Sequence, residues 1–263
     1  MSISMQLTNQ VLFDDNDRLS VTLYASQSLK GAISEVAQAF SRKYKIPIKL
    51  EFDYSDELRS RILKSEKADI FAAADMKNPH QLMQVSKGSP VVNFVSNKIC
   101  VIVKPGLKVT KNSLLNLMLS PDIRVGIATI NSELSSDYIR ELFQKAETLQ
   151  PGSFEILNNK VLDLRGEYNS GFVPHGLDKF AYFLLETQQV DMFLTYRTDA
   201  RLASLAAPNL QILELPDNLA IKANYGMTLI NNSRSSVIML AMYLLSPFGQ
   251  EILAKYHFDT PLL

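Results

Sequence analysis

The chain has 263 residues, 46% of them hydrophobic and 21% charged, an ordinary make-up for a globular protein with one large core or two small ones. Its 27 Lys and Arg balance 27 Asp and Glu, so the formal net charge is zero and a nucleic-acid partner is not expected. The single cysteine, Cys100, excludes an internal disulfide and alone builds neither a zinc site nor a redox pair.

Residues 1–18 lack a basic start and an unbroken apolar run, so they read as a loosely held tail and not as a secretory signal. No stretch reaches the ~18 apolar residues that span a bilayer. Val21 to Tyr24 form a short β-prone run that stops at Ala25-Ser26-Gln27-Ser28. Leu29, Ile33, Val36, Ala37 and Phe40 follow at helical spacing, which predicts strand, small polar loop, helix. Ile46, Ile48, Leu50 and Phe52 alternate with polar residues, as in a strand with one covered face. A helix is expected from Ser55, with Asp56 and Glu57 in its first turn complementing the helix dipole.

Further strands are expected at "ADIFAAAD" (68–75), "NKICVIVKPG" (97–106), "IRVGIAT" (123–129), "VDMFLTY" (190–196) and "YGMTLIN" (225–231). Helices are expected over about 79–85, 136–146 and 178–187, and the chain closes with a helix-rich end. Cys100 lies in an apolar run and reads as a buried small hydrophobe. Segment 158–176, with three glycines and a proline, reads as a long surface loop. Strands alternating with amphipathic helices define an α/β architecture with mostly parallel sheets.

Catalytic patterns are thin. His80, His175 and His257 are widely spaced, without a metal-ligand pattern, and only His175 sits in an irregular loop before a helix. There is no phosphate-loop lysine, nucleophile elbow or dinucleotide fingerprint. A serine instead recurs where a strand meets a helix: Ser28, Ser55, and Ser135 with Ser136. In open α/β sheets ligands bind beyond the carboxyl ends of the strands, and helix N-termini favour anions. A serine at such a place is equally a plain N-cap that holds nothing.

Six segments, "VTLYASQSLKGAISEVAQAFSRKY", "FDYSDELRSRI", "ADIFAAADMKNPHQL", "SSDYIRELF", "VDMFLTYRTDA" and "LLSPFGQEILAKYHF", resemble in that order the periplasmic molybdate-binding proteins of ABC transporters. The resemblance covers about 20–260. It implies two α/β lobes joined by crossover strands near Ile99 to Val103 and Tyr225 to Ile230. The first lobe is expected to take 19–98 and 228–263, and the second 99–227. A tetrahedral oxyanion, molybdate or tungstate, would be clamped between them by neutral donors and delivered to a membrane permease. The family's binding residues match Ser28, Ser55, Ser135, Asp178 and Tyr196, with Ser26 and Ser136 as weaker candidates. No cofactor, no metal held directly by side chains, no catalysis and no nucleic acid are expected, and the expected form is a monomer.

The family places the protein in the periplasm, while the N-terminus leaves a cytoplasmic location open. A ligand-sensing or solute-binding protein for another small molecule is the alternative function, and an enzyme built on the cleft is a third. Asp53, Asp56 and Glu57 around Ser55, and Asp178, depart from the family's small neutral residues. Such carboxylates would repel a bound dianion unless they point away or pair with Lys30 or Arg197.

Overall fold

The computed structural model describes residues 20–127, 133–164, 179–230 and 234–260, without the side chains of 133–136 and Lys179. The expected start holds. Strand β1 (Val21–Ser26) passes through a 3-10 turn, Gln27–Leu29, into helix α1 (Lys30–Tyr44). Helix α1 buries Ala32, Ile33, Val36, Ala37 and Phe40 and carries Arg42 and Lys43 in its last turn, where positive charge complements the dipole. Strand β1 has almost no exposed face because it runs parallel between β2 (Ile48–Asp53) and β3 (Ile70–Ala73), and such strands are covered on both sides. Helices α2 (Ser55–Leu63) and α3 (Lys77–Gln84) follow β2 and β3.

Strand β4 (Val92–Val103) is the long element that joins two sheets. Its first part, to Lys98, runs antiparallel to β9 (Lys222–Leu229), and β9 in turn pairs with β3. From Ile99 to Val103 it lies between β7 (Met192–Tyr196) and β8 (Gln211–Glu214). Strand β5 (Val125–Ile127) is parallel to β7 and to the two-residue β6 (Leu162–Asp163). The second sheet is packed by α4 (Leu114–Leu119), α5 (Glu133–Leu149), α6 (Ser153–Lys160) and α7 (Arg197–Ala206), and the chain returns to the first through α8 (Ser235–Leu245) and α9 (Pro247–Lys255).

The cores divide at the same place. Phe94 and Val95 of β4 join Leu23, Phe40, Ile70 and Leu240. Ile99, Val101 and Val103 join Val125, Leu142 and Met192. Cys100 and Ile102 point to a third cluster around Phe183 and Phe193. Each side of the crossing thus has its own apolar interior, as hydrophobic burial requires of two separate units.

Several details go beyond or differ from the sequence expectation. The chain changes cores on its way into β9. Leu215, Leu219 and Ile221 pack in the second core, whereas Ala223, Tyr225 and Met227 pack in the first. Residues 227 and 228 both lie within β9. Of the expected loop 158–176, residues 158–160 close α6 and 162–163 form β6; 165–176, with His175, lie outside the described residues. The expected helix 178–187 is a short turn, Lys179–Ala181, that continues as a π-helical segment, Tyr182–Glu186.

Candidate functional site

The serines at the first sheet's carboxyl edge are not caps. The N-cap position of α1 is Leu29 and no side chain caps that helix; Tyr54 precedes α2, again without a side-chain cap. Ser246, ahead of α9, is a serine that does cap, accepting from the Gly249 N–H at 3.4 Å. Ser26 and Ser55 are buried at 3% and 4% exposure, with their Oγ atoms 2.5 Å apart. The Ala74 backbone N–H, just past β3, donates to both, at 2.9 and 3.1 Å. Ser26, the weaker candidate by sequence, is therefore as central as Ser55.

Behind this pair stands Asp75. Its carboxylate accepts from the Asn78 N–H at 2.6 Å and the Asn78 Nδ2 at 2.9 Å. Burial raises its pKa against those hydrogen bonds, because a desolvated carboxylate is disfavoured. Gly226 of β9 lies so close that a Cβ there would stand 2.9 Å from the Asp75 carbonyl oxygen. The Gly226 N–H donates to that oxygen at 3.1 Å. A residue without a side chain is what lets β9 approach the turn.

Ser28 takes a different partner. It is half-buried, and its Oγ lies 3.2 Å from the hydroxyl of Tyr225 on β9. Tyr225 and Asn97 are wholly buried. The Asn97 Nδ2 donates to Tyr225 Oη at 3.4 Å and to Thr198 Oγ1, on α7, at 2.9 Å. A chain of neutral polar groups thus runs from Ser28 on the first sheet to the start of α7 on the second.

Tyr196 ends β7 immediately before α7. Its ring stands edge-on to Tyr225, with centroids 6.3 Å apart. Tyr196 and Tyr138 both pack against the first and the second core, so they bridge the two units. Burial drives the Tyr196 pKa well above the usual value, and its hydroxyl senses Tyr225, Tyr138, Asp199 and Asp75. Burial likewise pushes Tyr138 up to about 12, against a hydrogen bond from the Asn224 backbone N–H. All three tyrosines stay protonated at neutral pH and keep a hydrogen to donate. A cavity of about 250 Å3 adjoins this region, lined by Ser28, Gly31, Thr198, Asp199, Arg201 and His257 among others.

The sequence-predicted carboxylates near Ser55 do not crowd the serines. Asp56 and Glu57 are exposed in the first turn of α2, and Asp53 accepts from the Tyr54 N–H at 2.8 Å. Arg197 is not their partner. It donates to the His257 carbonyl at 2.7 Å and to Asp259 Oδ1 at 2.5 Å, which ties α7 to the C-terminal segment of the first unit. The carboxylates that act on the Tyr196 hydroxyl are Asp75 and Asp199.

The structure brings Ser26, Ser55, Ser28 and Tyr196 to the junction of the two sheets. Ser135 and Ser136 have no described side chains, and Asp178 lies outside the described residues. Sequence reasoning missed Asp75, Asn97, Tyr138, Thr198 and Tyr225. None of them stood out in the sequence: Asn97 lies between Ser96 and Lys98, and Thr198 between Arg197 and Asp199.

Two α/β units joined at β4, with hydroxyls gathered at their junction, are the architecture of the periplasmic-binding-protein-like fold. Solved structures match it over 92% of this chain. A substrate binding domain from Clostridium difficile, named for molybdenum ABC transport, aligns with a TM-score of 0.69 at 14% identity over 99% of its length. The periplasmic molybdate-binding protein of Azotobacter vinelandii aligns with a TM-score of 0.68 at 12% identity over 100% of its length. The sulfate-binding protein SubI of Mycobacterium tuberculosis gives 0.68 at 15% identity over 86% of its length. The uncharacterized protein PM1146 of Pasteurella multocida is 28% identical over 204 residues, 77% of this chain and 84% of that protein. The model of the bacterial extracellular solute-binding proteins matches residues 21–259, and the chain belongs to that family.

Proposed function

We propose that this solute-binding protein takes a small tetrahedral oxyanion, molybdate or tungstate, and hands it to the membrane permease of an ABC transporter. The observation that carries the reading is the set of neutral donors at the junction: Ser26, Ser28, Ser55, Tyr196 and the Ala74 N–H. Arg197, the cation nearest in sequence to Tyr196, is committed to Asp259. Neutral donors suit a fully deprotonated dianion, which accepts from every one of them, and disfavour an oxyanion that still carries a proton.

Hydrogen bonds to a charged group contribute ~1.5–3 kcal/mol each. Some six of them, less the cost of closing the units, leave roughly −8 kcal/mol or better, about micromolar. We place the first lobe at 20–98 and 222–260 and the second at 99–221, with Ser135 and the backbone near Asp178 as further donors from the second. The working form is a monomer acting outside the cytoplasm, where family members meet their solutes, and its work is binding and not catalysis.

A second reading, a different small solute on the same scaffold, is favoured by Asp75 and Asp199. Both act on the Tyr196 hydroxyl, and their charge opposes a dianion. A thermal-shift screen with molybdate, tungstate, sulfate, phosphate and small organic acids decides between the readings. A ligand at about 100 times its dissociation constant adds ~2.7 kcal/mol of stability. Stabilisation by an organic acid alone would reject the oxyanion.

A further inference from the structure

We propose that Asn97, acting through Tyr225, fixes Ser28 as a hydrogen-bond donor toward the cleft and so makes that position select for anions. The proposal rests on the reading of Ser28 as a ligand-binding residue. A serine hydroxyl alone is ambivalent, able to donate one hydrogen and to accept. An anion needs it as a donor.

The orientation of Asn97 is set by its own backbone. The Lys98 N–H, which can only donate, meets Asn97 Oδ1 at 2.9 Å. The amide NH2 therefore faces Thr198 Oγ1 and Tyr225 Oη, and both groups must accept. With its oxygen engaged as an acceptor, the Tyr225 hydroxyl still has one hydrogen. Among the described residues its other hydrogen-bond partner is Ser28 Oγ, at 3.2 Å. Tyr225 is wholly buried, so water offers no substitute. The hydrogen goes to Ser28, the serine oxygen is filled from behind, and the serine's own hydrogen is left for the cleft.

The neighbouring pair is arranged differently: the Ser26 and Ser55 hydroxyls face each other at 2.5 Å and both accept from the Ala74 N–H. The two serine positions would then differ in kind. Ser28 offers a hydrogen outright, whereas the hydrogens of Ser26 and Ser55 are shared within their own pair.

The test is a double-mutant cycle on the full chain: native protein, Asn97→Asp, Tyr225→Phe and the double variant. Asn97→Asp turns the chain round. The introduced carboxylate accepts the Tyr225 hydrogen, the Tyr225 oxygen then accepts from Ser28, and the cleft loses its donor. Molybdate affinity by calorimetry should fall about tenfold more for Asn97→Asp when Tyr225 is present than in the Tyr225→Phe background. Repulsion by the new charge is the same in both backgrounds and cancels.

The same four proteins are unfolded without ligand. Tyr225→Phe should cost more stability beside the introduced carboxylate than in the native background, because a hydrogen bond to a charged acceptor is the stronger. Should Asn97→Asp not fold, Asn97→Leu, close in volume and unable to donate, replaces it, with a smaller affinity loss that again vanishes with Tyr225→Phe. Additive affinities alongside coupled stabilities overturn the proposal and leave the site reading standing. Native protein that binds no molybdate overturns the site reading, and the stability cycle then decides the polarity of the chain alone. Additive stabilities overturn it in either case.

Discussion

Replacing Ser28 by alanine separates a ligand-holding hydroxyl from a structural one. Ser28 lies in the 3-10 turn Gln27–Leu29, and no side chain caps α1, so the ~1 kcal/mol that a lost N-cap costs is not at stake. Without ligand the variant gives up one neutral hydrogen bond, to Tyr225 at 3.2 Å. Tyr225 keeps the Asn97 amide as a donor to its oxygen, but its own buried hydrogen loses its acceptor, a loss of ~1–3 kcal/mol. With a dianion bound, the lost bond is charge-assisted and contributes ~1.5–3 kcal/mol, roughly ten- to 150-fold in affinity. Denaturant unfolding of ligand-free protein and calorimetric titration with molybdate measure the two quantities on one preparation. An affinity unchanged in Ser28→Ala, whatever its stability, would refute the assignment of Ser28 to the ligand.

Tyr196→Phe keeps the ring that packs against both cores and removes only the hydroxyl. Ligand-free stability should hardly move, while molybdate affinity drops about tenfold or more in calorimetry. Gly226→Ala drives a methyl to 2.9 Å from the Asp75 carbonyl oxygen, and chemical denaturation should show a loss of ~1–3 kcal/mol. Asp191, 4% exposed, is held by Arg124 and Lys104. Burial works to raise its pKa, but the hydrogen bonds from Arg124 and Lys104 outweigh it and hold the pKa well below the carboxylate range. The unfolded chain then binds the proton more readily, so the Asp191 contribution is complete above about pH 5 and is lost as pH falls through ~3.9 and below. Asp191→Asn should cost ~1–3 kcal/mol at pH 7, not more, because the Arg124 and Lys104 side chains reach solvent at 48% and 34% exposure. The difference from native protein should shrink on acid titration.

Strand β1 and helix α1 were legible because one period gives way to another within three residues, and buried Ile33, Val36 and Phe40 keep the helical spacing. Strand β6 was not, since Leu162 and Asp163 are both exposed and two residues show no period. The change of cores ahead of β9 was not legible for a physical reason. Apolar residues at Ile221 and at Tyr225 have the same signature, and alternation along a strand does not say which of two cores receives its side chains. The serines at strand ends were visible, but hydrogen bonding decides their role. Whether Ser28 caps α1 or meets Tyr225, some 197 residues away, is set by the pairing of β9 with β3. Asn97 and Tyr225 stayed hidden because a polar group in an apolar strand reads as an interruption until its partners are in place. Asp75 shows in the sequence only as the polar end of an apolar run, and it is helix α3 and β9 that bury it.

Calorimetry on unfolded, dialysed and refolded protein, stripped of any bound solute, tests the central claim most directly. Titrated with molybdate, tungstate, sulfate and phosphate, the protein should bind the first two at about micromolar or tighter and the last two more weakly. Binding of sulfate, phosphate or an organic acid with no heat from either metal oxyanion would contradict it.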